Sequence, residues 1–115
     1  MVSIKRVQVG LVTVLRLHGD LDEDGAYALH VGLLECVKER RRRVVVNFSD
    51  VQIVSYLSVG VLVEKLRWLR KYGGNMKLAG LNCDVQSLFM RMGVTSILEL
   101  YETEFQAIGM FNEAA

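Results

Sequence analysis

The sequence predicts a single α/β domain spanning residues 1–115, with a mixed, mostly parallel sheet of roughly four or five strands, about four helices, and the order β-β-α-β-α-β-α-β-α. Three observations predict it. Short apolar runs alternate with longer stretches whose apolar residues recur at the helical period. A chain of 115 residues is long enough for one core and too short for two. Its 51% hydrophobic and 23% charged residues are the balance of a globular domain, and no proline, low-complexity tract or repeat offers a linker.

The elements follow in order. Val2 to Val9 reads as a strand, and Gly10 turns the chain into a second from Leu11 to Gly19. Leu11, Thr13, Leu15 and Leu17 share one face of that strand, while Arg16 and His18 point the other way. Asp22, Glu23 and Asp24 suit the positive end of a helix, whose stripe is Ala26, Leu29, Leu33 and Val37, with Leu34 beside it. Arg40 to Arg43 close it, since positive charge suits a helix C-terminus. Val44, Val45, Val46 and Phe48 form a nearly continuous apolar strand, as expected for burial on both faces.

Next comes Ile53 to Gly60, IVSYLSVG, which leads into a helix from about Leu57 to Tyr72. Val59, Leu62, Val63, Leu66 and Leu69 mark its buried side, and Gly73-Gly74 stops it. Met76 to Ala79 is another strand. Asp84 is expected to cap a short helix in which Val85, Leu88, Phe89 and Met92 line one face, ended by Gly93. Ile97 to Tyr101 is the final strand, and Thr103 opens a last helix containing Phe105 and Ile108.

Several function classes are disfavoured. A net charge of +1 supplies no overall field for nucleic acid or an anionic membrane. The N-terminus has no apolar signal region, and the apolar run Val59 to Val63 is far short of the roughly 20 residues that span a bilayer, so a cytoplasmic protein is expected. Cys36 and Cys83 have no CxxC spacing and read as reduced thiols. Phosphate-binding glycine loops, HExxH spacing and a GxSxG elbow are all missing from the sequence. His18 and His30 have no nearby cysteine and read as exposed or satisfied side chains. The acids Asp20, Asp22, Glu23 and Asp24 are accounted for by a helix N-terminus. No enzyme activity, metal or cofactor is therefore expected. The arginine run reads as a solvated helix end. Trp68, between Arg67 and Arg70 with Tyr72 one turn on, is either a partner-facing aromatic or a packing residue.

Order and local words together carry a resemblance. GDLD at Gly19 to Asp22 closes the second strand. VVVNFSDVQIV, Val44 to Val54, leads from a strand into a loop, and a helix ending in Gly73-Gly74 precedes NMKLAGLNCDVQSLFMRMGVTSILELYET. Over nearly its whole length the chain resembles the STAS domain, and specifically the small bacterial anti-sigma factor antagonists. That resemblance implies partner switching. The unmodified antagonist binds an anti-sigma factor that is also a GHKL-type serine kinase; the kinase phosphorylates a D-S-[ST]-G loop and the complex dissociates.

Laid without gaps, that motif falls on Ser55, Tyr56, Leu57 and Ser58. Leucine occupies the acceptor position, serine replaces the motif's aspartate and its glycine, and Gly60 matches a second small position. Asp22 keeps the acid that lies near the acceptor in the family. The resemblance thus implies a partner-binding set of Asp22, Ser55, Tyr56, Leu57, Ser58 and Gly60. Three readings stay open. The domain docks without phosphate control, with Tyr56 and Leu57 as anchors. Alternatively the kinase uses Ser58, turned by about 100° around the helix from Leu57, or else Ser55. In the third, the domain is a ligand-binding or scaffold module of a larger assembly. Either serine can also act simply as a helix cap, a role that contributes roughly 1 kcal/mol. Pairing of two copies through the Tyr-Leu pair or the Trp68 surface is a further expectation.

Overall fold

A computed structural model describes residues 1–113. The chain forms β1 (Ser3–Val9), β2 (Val12–His18), α1 (Glu23–Lys38), β3 (Arg43–Asp50), α2 (Tyr56–Lys71), β4 (Asn75–Ala79), α3 (Cys83–Arg91), β5 (Glu99–Tyr101) and α4 (Glu104–Glu113). The strands lie in sequence order in one five-stranded sheet, with β1 antiparallel to β2 and every later pair parallel. Each parallel step needs a crossover, and α1, α2 and α3 supply the three.

These three helices pack on one face of the sheet. Leu29 and Leu33 of α1, Leu62 and Leu66 of α2, and Phe89 of α3 share a core with Leu15, Val46, Phe48 and Leu78. Full burial of each such side chain contributes roughly 1.5–3 kcal/mol. The other face is covered by α4, whose Ala107 and Phe111 pack against Val12, Val14, Val45 and Ala79. Alternation along β3 therefore sends Val44, Val46 and Phe48 one way and Val45 the other, which explains its unbroken apolar run.

β2 departs from the expected single apolar face. Val12, Thr13, Val14 and Leu15 are all buried, while Leu11 is 74% exposed in the two-residue turn that joins Val9 to Val12. Arg16 does point away from the main core, but onto α4: its guanidinium donates twice to Glu104, at 2.9 and 2.9 Å. Asn47 of β3 adds a third bond to Glu104 at 3.0 Å. These donors, Arg16 foremost, hold the Glu104 carboxyl below the usual range against the opposing effect of burial. The start of α4 is thus pinned to two strands, and Phe105, 86% exposed, contributes nothing to the core.

The caps set the helix boundaries. Asp22 Oδ1 accepts from Gly25 N at 2.8 Å to start α1. Ser55 caps α2, so that helix begins at Tyr56, one residue before the expected start. The cap of α3 is Asn82, not Asp84, which lies in the first turn. Asparagine is suited to the place because its amide does two things. Its oxygen accepts from Val85 N at 2.8 Å, and its nitrogen donates to the carbonyls of Val51 and Gln52 at 3.4 and 3.3 Å. An acceptor-only aspartate lacks the second capacity. All three helices end alike, with paired bonds back into the last turn; Gly73 (φ 82°) takes the left-handed position after α2, and Arg40 (φ 57°) takes it after α1. β5 is shorter than expected because the Ile97 and Leu98 N–H groups bond to Val94 O and so leave the sheet ladder.

Candidate functional site

Beyond the ends of β2 and β3 the parallel ladder continues into the loops. Gly19 N donates to Asp50 O at 3.2 Å, Leu21 N to Ile53 O at 2.8 Å, and Ser55 N back to Leu21 O at 2.7 Å. Leu21 and Val54 form an isolated parallel bridge. The GDLD and IVSYLSVG segments are thereby zipped together, and the N-termini of α1 and α2 emerge side by side. Gly19 is needed for this path. Its φ is 104°, and a Cβ there would stand 2.7 Å from the Met1 carbonyl oxygen.

The two serines are engaged internally. Ser55 Oγ accepts from Ser58 N at 3.1 Å, and the two hydroxyls lie 2.9 Å apart. Ser58 is fully buried, and its hydroxyl donates to Leu21 O at 3.3 Å. The reason is helical geometry: a cap at Ser55 places Ser58 three residues on, turned inward against the GDLD segment. Ser58, the expected phosphorylation candidate, therefore lies buried beneath the surface in this fold. Ser55 is half-buried.

The apolar residues face outward instead. Ile53, Tyr56 and Leu57 are 59%, 67% and 56% exposed. They form a ridge at the start of α2, whose first turn carries no acidic residue. Gly60 lies one turn on, exposed and with no atom within 4 Å of a built Cβ, so the helix surface is flush there. Asp22 is exposed, but one carboxylate oxygen is committed to capping α1. Beside the ridge, a cleft of about 260 Å³ opens between Ile53, Tyr56 and Val54 on one side and Asp84, Leu88 and Arg91 of α3 on the other. Of the six residues expected to bind a partner, five lie on or near this surface and Ser58 lies beneath it.

Sequence reasoning missed two contributors. Ile53 appears in the sequence only as part of the approach to a helix, and Asn82, not Asp84, anchors the loop through the Val51 and Gln52 carbonyls. The Asn82–Cys83–Asp84 run did carry a capping signal, but nothing local separates the two candidates.

Among the described residues no group of three His, Cys, Asp or Glu side chains converges as a metal site. Among the described residues no helix is long and apolar enough to cross a membrane. Cys36 is buried, which pushes its thiol up, and Cys83 is exposed. His18 Nδ1 lies 2.7 Å from Asp50 Oδ2 at the rim of the same sheet end.

The sequence model of the STAS domain matches residues 3–107. The chain belongs to the STAS domain family. An anti-sigma F factor antagonist from Paenibacillus polymyxa is 24% identical to this STAS domain over 98 residues, covering 84% of each chain. An anti-sigma factor antagonist from Mycobacterium paratuberculosis superimposes with a TM-score of 0.87 at 18% identity, covering 96% of this chain and 93% of that one. The Bacillus protein SpoIIAA superimposes with a TM-score of 0.76 in its unphosphorylated form, at 18% identity and 96% and 98% coverage. These structures share the STAS fold with the chain. In that fold the zipped loops and the α2 N-terminus described above form one end of the sheet.

Proposed function

We propose that this STAS domain is an anti-sigma factor antagonist-type binding protein. It docks on an anti-sigma factor of the GHKL kinase type through Ile53, Tyr56 and Leu57, without phosphate control at this loop. One observation carries the reading: the ridge is apolar and exposed, while both nearby hydroxyls are held in the helix cap and Ser58 is buried. Exposed aromatic and aliphatic residues clustered on a rigid helix start are the kind of anchors that dominate binding energy. The absence of a phosphoacceptor at Leu57 agrees with a constitutive contact. The curated relative and the structural neighbours named above support the partner class.

The test pairs binding with phosphorylation. Incubation with the cognate anti-sigma kinase and ATP is expected to leave the intact mass unchanged. Leu57→Asp and Tyr56→Ala should each weaken the complex at least tenfold, measured by calorimetry, with folding retained. Gain of a phosphoryl group at Ser55 or Ser58 would sink the phosphate-independent reading, and unchanged affinity in both variants would sink the docking surface.

A further inference from the structure

A second surface of different chemistry begins at Gly60 and extends to the C-terminal end of α2. Trp68 is 42% exposed and stacks with Tyr72 at a centroid distance of 6.4 Å. It stands between two clefts. One, of about 650 Å³, has a floor of Val59, Val63, Met92 and Val94, with Arg67 and Lys71 at its rim. The other, of about 370 Å³, lies between α1 and α2 against Leu34, Val37 and Tyr72, with Lys38 and Arg40 at its rim.

The charge here is concentrated and unanswered. Five basic side chains line the two clefts against one acid, Glu64, although the whole chain has a net charge of only +1. Glu64 is already taken by Lys65 at 2.7 Å. Lys38, Arg40, Arg67 and Lys71 have no carboxylate in ion-pairing range among the described residues. Two of them rest on aromatic faces instead, Arg40 over Tyr72 at 3.9 Å and Lys71 over Trp68 at 4.9 Å. Such contacts leave the remaining N–H groups free to meet an anion.

We infer that this face is a docking groove for an acidic protein segment that carries apolar side chains, adjoining the Tyr56–Leu57 ridge at Gly60 and running away from it. Charge complementarity selects the acidic partner. The aliphatic floor selects a peptide over a nucleic acid, because a phosphate backbone would leave Val63, Met92 and Val94 without a complement. The larger cleft runs roughly 16 Å along α2 from Gly60 to Lys71, a length matched by about five extended residues. Trp, Tyr and Arg are also the residue types enriched at binding hot spots. The inference does not depend on what the ridge binds.

Trp68 is the one tryptophan in the chain and reports directly on the groove. The probe is a capped hexapeptide alternating glutamate and leucine, titrated while tryptophan emission is recorded. A saturable spectral change is expected, weakened by raised salt. The variant carrying Arg67→Glu and Lys71→Glu, both exposed positions, should keep its circular dichroism and lose affinity more than tenfold. No saturable change, or equal binding by that variant or by the lysine–leucine counterpart, would overturn the proposal. An equal response to a single-stranded oligonucleotide would overturn it in favour of a general polyanion site. A change with protein concentration alone, without peptide, would overturn it in favour of a second copy of this chain.

Discussion

The Ser58 hydroxyl donates to the Leu21 carbonyl at 3.3 Å, joining the first turn of α2 to the GDLD segment 37 residues earlier. Leu21 O also receives Ser55 N at 2.7 Å, so this one carbonyl ties both ends of the serine pair. Ser58→Ala should therefore be mild. It removes one donor and leaves Leu21 O satisfied, at a cost of about 1 kcal/mol in urea unfolding. Ser58→Asp places a carboxylate against that carbonyl with no room for water, and should cost about 3 kcal/mol or more. Equal unfolding midpoints for the two variants would contradict the burial of Ser58.

Ser55 acts on stability through the cap. Ser55→Ala is expected to cost about 1 kcal/mol, because the Ser58 N–H loses its acceptor. Ser55→Asp keeps an acceptor and adds a negative charge to a first turn that has none, so stability should stay within about 0.5 kcal/mol of wild type. Anti-sigma factor affinity of the Asp variant should still fall, since the new charge abuts Tyr56 and Leu57. A chemical denaturation series alongside calorimetry separates the two effects.

Asn82 has two jobs, and substitutions divide them. Asn82→Asp retains the bond from Val85 N but cannot donate to the Val51 and Gln52 carbonyls. The variant is expected to lose about 1–2 kcal/mol, with faster amide exchange at Ile53 to Ser55 while α3 stays protected. If α3 exchanges faster and the loop does not, the bridging role is wrong.

Acid pH should weaken the link between β1 and the end of α1. Glu39 accepts from Arg6 at 2.7 and 2.8 Å and from Arg41 at 3.0 and 3.2 Å, and these bonds, Arg6 first, hold its carboxyl down to about 2 from an ordinary 4.5. A folded-state value below the unfolded one means the stabilisation is complete above pH 4.5 and is lost as pH falls toward 2. Glu39→Gln should flatten part of the wild-type decline in unfolding midpoint across that window. Raised salt should shrink the difference, because the pair is exposed.

Most of the fold was legible in the residues. Helical and strand periods are local properties, so the nine elements and their order could be read directly, and the Gly73-Gly74 stop follows from backbone sterics alone. The boundaries that shifted did so where two residues competed for one role, as with Asn82 and Asp84, or where a turn took over strand backbone, as at Ile97 and Leu98. At the candidate site, the place of Tyr56 and Leu57 at a helix start was legible in the sequence. The exposure of Ile53 beside them was not, since it depends on how the loop is held by α3.

By itself the sequence determined the alternation of strands and helices, the acid at the start of α1 and the Tyr56-Leu57 pair set between two serines. Each of these is written in neighbouring residues. Only the tertiary structure decided that Ser58 points inward, that α4 seals the second face of the sheet, and that Arg16 reaches Glu104 across 88 positions. Such contacts join segments far apart in the chain, and their register is set by packing of the whole sheet rather than by any local pattern. IVSYLSVG carries two serines in either view; the fold makes one a cap and the other part of the core.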